Sequence, residues 1–146
     1  MSNYRAVAGP RSTDSGFFES DFDFGGILMH NSQIRFQDVH DGTSNTLIVG
    51  ECVFDEAADK NGAIWAGMSG RRPNNSIWIS DVMWWINEDD FTVNGEGRQA
   101  FTSQHPGGAQ FSFCDGSTRL FPEAVEFSVM RFLAGRDDGV LTNNDF

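Results

Sequence analysis

The sequence predicts a single α+β domain with an antiparallel sheet, short helices and long loops, extending over residues 1–146. A chain of 146 residues suits one domain with one hydrophobic core. Sixteen glycines and only ten Lys and Arg residues favour turns and strands over long surface helices. Two alternating apolar segments on either side of Asp115-Gly116 predict a β-hairpin, which fixes the antiparallel character.

The first 33 residues predict a long ordered loop or arm made of short extended pieces. They are rich in Gly, Ser, Asp and Phe, and pairs such as Gly25-Gly26 interrupt any regular period. We expect the phenylalanines of this arm to hold it against the domain or against a neighbouring subunit; they are Phe17, Phe18, Phe22 and Phe24.

The middle of the chain predicts a short helical turn followed by strands. Residues 38–45 are dense in turn and capping types, and the β-favouring residues 46–51 follow as a central strand. Further strands are expected at residues 63–66 and 76–80. Residues 83–86 are apolar throughout, which predicts either core or an interaction surface.

The C-terminal part predicts the hairpin and then a short helix. Residues 109–113 and 118–121 alternate between apolar and polar side chains around the Asp-Gly turn. Ser128 is expected to cap a helix that runs to Leu133 and ends at Gly135 in the left-handed conformation. Val129, Phe132 and Leu133 would form its buried stripe.

The charge of the chain argues against nucleic acids and anionic membranes as partners. A net charge of −11 repels the phosphate backbone of nucleic acids and anionic membrane surfaces. Cations, neutral sugars and other protein surfaces suit this charge, and so does simple solubility. No apolar run of 18 residues and no signal-peptide pattern is present, so we expect no membrane segment in this sequence.

Two cysteines leave two interpretations open. Cys52 and Cys114 could form one disulfide in an exported protein, or remain a buried pair of free thiols. Their spacing is not that of a metal site or of a CxxC redox motif.

Several short motifs in this chain occur together in a known family. His105 precedes Asp115-Gly116 with nine residues between them, an H-x9-DG pattern. Residues 38–51 read DVHDGTSNTLIVGE, the chain opens with SNYRAVAG, and residues 133–140 read LAGRDDGV. This combination resembles the prepilin-type processing-associated H-x9-DG domain of the DUF1559 proteins, also called solute-binding-protein family 10, from planctomycetes and related bacteria.

The resemblance implies a type IV pilin-like or pseudopilin-like globular head that acts outside the cytoplasm. Members of the family typically begin with a prepilin leader and a long apolar helix, and neither is found in this sequence. We therefore expect the head of a filament-forming subunit, or a protein of the same fold that assembles without such a helix. The residues that carry the resemblance are His105, Asp115, Gly116, Asp41, Gly42, Ser44, Asn45 and Glu51.

These motif residues have structural interpretations that compete with a role in ligand binding. His105 would shape the entry to a strand while Asp115-Gly116 makes the turn, or His105 would bind a ligand with a group from elsewhere in the fold. Asp41, Thr43, Ser44 and Asn45 are expected to cap local backbone N–H groups. Glu51 ends a buried strand and is expected to bond to the turn at residues 41–45.

Calcium is the one cofactor that the sequence suggests. Hard cations prefer carboxylate and carbonyl oxygens. One candidate set lies near the C-terminus and comprises Asp137, Asp138, Asn143, Asn144 and Asp145; a second comprises Asp21 and Asp23. Neither set has the EF-hand spacing, and the alternative is that both are solvated loops.

The function expected from these observations is that of a non-enzymatic structural or assembly subunit whose main partner is another copy of itself. The sequence contains no nucleophile elbow, phosphate loop or zinc spacing, so catalysis is not expected. The alternative is a cell-surface module that binds solutes or glycans on an aromatic platform made of Trp78, Trp84 and Trp85. The same three residues could instead pack in the core or at a subunit interface.

Overall fold

The computed structural model describes residues 2–11, 23–29, 32–63, 70–71, 77–78, 83–86 and 89–140. Seven strands lie within these ranges: β1 Tyr4–Gly9, β2 Leu47–Glu51, β3 Gly70–Arg71, β4 Ile77–Trp78, β5 Met83–Trp85, β6 Gly108–Phe113 and β7 Thr118–Pro122. One α-helix, α1 Phe127–Ala134, follows the last strand, and 3-10 turns occupy Phe36–Asp38 and Asp89–Phe91. The described part of the chain therefore combines sheet and helix, as an α+β domain does.

The main sheet has five strands in the order β5-β1-β2-β6-β7. The pairs β1–β2, β2–β6 and β6–β7 are antiparallel, whereas β5 runs parallel to β1. The prediction of a purely antiparallel sheet is thus wrong for one edge. The direction of β5 depends on the long connection after β2, and local alternation of side chains carries no information about that connection.

Strand β1 is an interior strand that the sequence did not reveal. It pairs with β2 on one side and β5 on the other, and five of its six residues are buried. Arg5 within it is fully buried and donates to the backbone carbonyls of Asn61, Gln99 and Ala100. An arginine in the sequence argues against a buried strand, because burying its charge is costly. The carbonyls of these three distant residues accept hydrogen bonds from the guanidinium and offset that cost.

An aromatic core lies between the sheet and α1. Phe101 contacts Phe111 with ring centroids 5.1 Å apart, and Phe111 meets Phe121 edge to face at 5.4 Å. Met130 and Leu133 of α1 are buried in the same cluster. Burial of such large side chains is the main favourable term in the stability of the domain.

Helix α1 is present where the sequence predicts it, and Leu133 is buried as expected, but its cap, the rest of its buried stripe and its C-terminal end differ from the prediction. It begins at Phe127 after Glu126, and no side chain caps it, so Ser128 lies inside the first turn. Its fully buried residues are Met130, Leu133 and Ala134, while Val129 is only partly buried against the core. Gly135 has φ −81° and is therefore not left-handed.

The remaining predictions for the middle of the chain have mixed outcomes. The helical turn before β2 is present as a 3-10 turn, and β4 lies within the strand expected at residues 76–80. Of the strand expected at 63–66, only Ala63 is described, and it bridges Ser2. Within the described ranges, no helix is both long and apolar enough to cross a membrane.

Candidate functional site

The motif residues lie at the two ends of one strand pair, β2 and β6. Because the strands are antiparallel, with Leu47 opposite Phe113 and Gly50 opposite Phe111, the start of β2 meets the end of β6. The loop that precedes β2 therefore faces the turn after β6, and Glu51 at the end of β2 faces the segment that leads into β6. We call these the loop end and the Glu51 end.

At the loop end, Asp115-Gly116 makes the predicted hairpin turn between β6 and β7. The Gly116 N–H donates to the Phe113 carbonyl at 3.0 Å, and Gly116 has φ +86°, which glycine adopts without strain. The Asp115 carboxylate accepts the Ser117 hydroxyl at 2.7 Å and the Ser117 N–H at 2.8 Å. These bonds to Ser117 lower the pKa of Asp115, so its charge is favoured in this turn.

The turn is bonded to the loop of residues 41–46. The Asp115 N–H donates to the Thr43 carbonyl at 3.0 Å, and the Cys114 N–H donates to the Thr46 carbonyl at 2.9 Å. Inside the loop, the Asn45 side-chain amide donates to the Asp41 carbonyl at 3.0 Å. Two sequence motifs that lie about 70 residues apart thus form one hydrogen-bonded unit.

Asp41 caps a different segment from the one that the sequence predicts. Its buried carboxylate accepts the N–H groups of Asp138 at 2.8 Å and Gly139 at 2.9 Å. The His40 N–H donates to the Arg136 carbonyl at 2.8 Å, which holds the same segment from its other side. Asp41 therefore joins the C-terminal motif to the loop, a long-range contact that capping preferences do not predict.

Asn45 does not make the expected side-chain cap, because its amide donates to a carbonyl and its buried Oδ1 has no hydrogen-bond partner among the described residues. Asn45 N–H donates to the Gly42 carbonyl at 2.9 Å, as a turn residue would. The Thr46 hydroxyl donates to the same Gly42 carbonyl at 3.2 Å. Ser44 is exposed.

At the Glu51 end, the carboxylate binds β6 rather than the loop. Glu51 accepts the Gln110 N–H at 2.7 Å, and its second oxygen lies 3.2 Å from His105 Nε2. The prediction that Glu51 bonds to residues 41–45 is wrong, because five residues of extended β2 separate the two ends. His105 thus meets a group from elsewhere in the fold, and that group is a carboxylate.

Asp137 and Asp138, the described residues of the C-terminal calcium candidates, have partners within the chain. Asp137 lies 2.9 Å from His40 Nδ1, and Asp138 accepts the Val140 N–H at 2.9 Å. Burial, and then the negative charge of nearby Asp41, raise the pKa of Asp138.

Asp23 forms a bidentate ion pair with Arg136, which lowers the pKa of this carboxylate. Among the residues that the structure describes, no group of three or more His, Cys, Asp or Glu side chains could hold a metal ion. The remaining candidates lie outside the described residues: Asp21, Asn143, Asn144 and Asp145.

The described tryptophan side chains are core residues. Trp84 and Trp85 are 6% and 9% exposed and stack on each other with centroids 4.7 Å apart. Buried Phe24 stacks on Trp85 at 5.5 Å. These two tryptophans therefore do not form an exposed platform. The Trp78 side chain and the arm residues Phe17, Phe18 and Phe22 lie outside the part of the chain that the structure describes.

Both cysteines are free, so the disulfide interpretation is wrong, and the interpretation as a buried pair of free thiols holds only in part because Cys114 is partly exposed. Cys52 follows the Glu51 end of β2, whereas Cys114 lies in the turn at the loop end, which separates them by the length of the strand. Burial, and then the charge of Asp115, raise the pKa of Cys114 to about 11. The thiol is thus protonated and unreactive at neutral pH.

Three residues that hold the fold together were not predicted from the sequence. Arg5 binds three carbonyls, Arg136 binds Asp23 and the Gly26 carbonyl, and Gly50 leaves room for two aromatic rings. Only Gly50 carried a signal, since a glycine inside a β-favouring segment indicates close approach by another group.

Comparisons with known proteins agree with the motif combination. A model of the family described as "Protein of unknown function (DUF1559)" matches residues 1–128. No curated protein and no solved structure matches the chain.

Proposed function

Since the chain belongs to the DUF1559 family, whose function is unknown, we propose that it is a non-enzymatic assembly subunit, the pilin-like head of an extracellular filament. The observation that carries this proposal is the use made of the motif residues. Asp41, Asp115 and Glu51 each bind backbone N–H groups at an end of the β2–β6 pair. Their carboxylates are occupied in holding the scaffold together.

Such an arrangement favours a rigid building block over a catalytic site. Catalytic carboxylates converge on one place where a reacting group can bind, whereas these three are divided between two ends of a strand pair. A subunit that is packed repeatedly against copies of itself benefits from a head whose loops are fixed, because ordering them on assembly then costs less entropy.

The two described tryptophan side chains give little support to the alternative of a solute- or glycan-binding head. Stacking on a sugar needs accessible ring faces, and Trp84 and Trp85 are 6% and 9% exposed. Their rings pack instead on each other and on Phe24 and Phe91. We therefore favour the proposal that the head acts through surface contacts between subunits outside the cytoplasm, with calcium as a cofactor to be tested.

The test is the mass of the purified chain in solution. Size-exclusion chromatography with light scattering across a hundredfold range of protein concentration, in calcium and in EDTA, is followed by electron microscopy of the same fractions. We expect defined oligomers or filaments whose share rises with concentration. A monomer under every condition contradicts self-assembly and favours a ligand-binding head. If the mass increases only in the presence of calcium, the ion has a role at the contacts between subunits.

A further inference from the structure

Strand β7 forms one edge of the main sheet. Within the described part of the chain, it pairs with β6 on one side and with no strand on the other. The Phe113 N–H donates to the Ser117 carbonyl at 2.9 Å, which fixes the alternation of the ladder. The Ser117 carbonyl and the backbone groups of Arg119 and Phe121 therefore point toward β6, whereas Thr118 and Leu120 direct their backbone groups outward.

The side chains next to this open edge are exposed and uncharged. Leu120 is 52% exposed, and Thr118 and Pro122 on the same face are exposed as well. A half-exposed leucine on an open edge strand is the kind of surface that other strands pair with, and soluble proteins usually protect such edges with charges.

Strand β7 carries no acidic side chain: its one charged residue is Arg119, and the acidic residues nearest to it in sequence are Asp115 and Glu123. Residues 101–122 contain one acidic residue, Asp115, and one basic residue, Arg119, so this segment is neutral. The net charge of −11 is carried by the rest of the molecule. Two identical acidic proteins approach most easily through a surface without net charge.

We propose that β7 is an assembly surface that pairs with β7 of a second copy, antiparallel about a two-fold axis at Leu120. The inference deepens the assembly function proposed above and rests on it. A two-fold contact of this kind joins the two five-stranded sheets into one continuous sheet.

The sequence of β7 is compatible with this register. With Leu120 opposite the partner's Leu120, the two residues exchange both of their N–H···O bonds. Thr118 then lies opposite Pro122 of the partner subunit and donates its N–H to that carbonyl. Pro122 has no N–H to donate, so every outward N–H of the two edges has an acceptor. Among the registers that give these N–H groups acceptors, this one places the two half-exposed leucines directly opposite each other, where they bury apolar surface.

Cysteine cross-linking tests the proposed pairing directly. Leu120→Cys is introduced together with Cys114→Ser, and the protein is oxidised at the concentrations at which the wild-type mass is measured. Paired residues in this register have Cα atoms about 5.5 Å apart, within the range that a disulfide spans. We expect covalent dimers in at least ten times the yield given by the control.

The matched control is Gln110→Cys in the same background. Gln110 is exposed and lies directly across from Leu120 on β6, one strand further from the axis. Two such residues would be separated by three strand spacings, about 14 Å, which is too far for a disulfide. A second variant, Leu120→Lys, places two like charges at the axis and is expected to lower the assembled fraction at least tenfold, whereas Gln110→Lys leaves it unchanged.

The outcomes separate the two proposals. If the wild type assembles and Leu120→Cys cross-links no better than Gln110→Cys, the edge contact is wrong and assembly uses another surface. Assembly that Leu120→Lys leaves intact overturns the edge contact in the same way. A wild type that stays monomeric overturns the assembly function, and the edge contact with it. Circular dichroism of each variant confirms that a loss of assembly is not a loss of fold.

Discussion

At the scale of single residues, Glu51 connects two strands through a carboxylate whose side chain is only 11% exposed. Its bond to the Gln110 N–H is charge-assisted, and removing the carboxylate leaves that N–H without an acceptor. We expect Glu51→Ala to lower the free energy of unfolding by about 1–3 kcal/mol, measured by urea denaturation. Glu51→Gln keeps an acceptor oxygen for this N–H, so it should lower the free energy of unfolding by less than Glu51→Ala does.

The comparison with His105 makes this prediction specific. The His105 side chain is 58% exposed, so its contact with Glu51 is largely screened by water. His105→Ala should therefore change the stability by less than about 1 kcal/mol. An equal loss for His105→Ala and Glu51→Ala would show that the ion pair, and not the backbone bond, carries the stability.

Two carboxylates near the C-terminal segment should respond to acid in opposite directions. Arg136 lowers the pKa of Asp23, so the charged form of Asp23 stabilises the fold at neutral pH. That contribution is lost as the pH falls through the folded pKa, below 3.8. Burial and Asp41 raise the pKa of Asp138, so its charge destabilises the fold at neutral pH, and this penalty disappears on acidification.

Asparagine variants of the two residues test these signs. At pH 7 we expect Asp23→Asn to be less stable than the wild type and Asp138→Asn to be more stable, since asparagine can still accept the Val140 N–H. Both differences should shrink toward pH 3, as urea midpoints at several pH values would reveal. Two variants that shift in the same direction at pH 7 would contradict the assigned environments.

At the scale of elements, β2 packs closely on β6 because position 50 has no side chain. A Cβ on Gly50 would lie 2.5 Å from the rings of both Phe101 and Phe111. We expect Gly50→Ala to lower the free energy of unfolding by about 1–3 kcal/mol, because the added methyl group overpacks the core. Phe111→Leu should lower it by about 1–2 kcal/mol, because the smaller side chain leaves a cavity. Thermal and urea unfolding of both variants give these values.

The double variant decides whether space is the cause. Leucine at position 111 vacates part of the volume that a methyl group at position 50 needs, so the double variant should lose less than the sum of the single losses by at least about 0.5 kcal/mol. Strictly additive losses would mean that Gly50→Ala acts through Phe101 or through the backbone and not through Phe111.

An element could be predicted from the sequence when the residues that determine it lie close together along the chain. The β6–β7 hairpin and β2 follow from alternation and from turn residues a few positions away, so both were predictable. Strand β1 was not, because the carbonyls that accept from Arg5 belong to Asn61, Gln99 and Ala100. The partners of Asp41 and Glu51 lie 97 and 59 residues away, beyond what capping preferences describe.

At the scale of the whole molecule, the charge of −11 opposes any contact between copies of the chain. Repulsion between exposed charges is screened over about 10 Å at 0.1 M salt and about 3 Å at 1 M. If this repulsion limits assembly, the assembled fraction measured by light scattering should rise as NaCl increases from about 0.02 to about 0.5 M, because the screening length falls roughly fivefold over that range.

Comparing salts at one ionic strength then separates screening from ion binding. NaCl, MgCl2 and CaCl2 should act alike if charges are merely screened, because screening depends on ionic strength alone. A larger effect of CaCl2 than of MgCl2 would indicate oxygen ligands with the loose geometry that calcium accepts, and Asp137→Asn with Asp138→Asn would then remove that difference. Assembly that weakens with NaCl would show instead that opposite charges hold the subunits together, against the neutral edge proposed for β7.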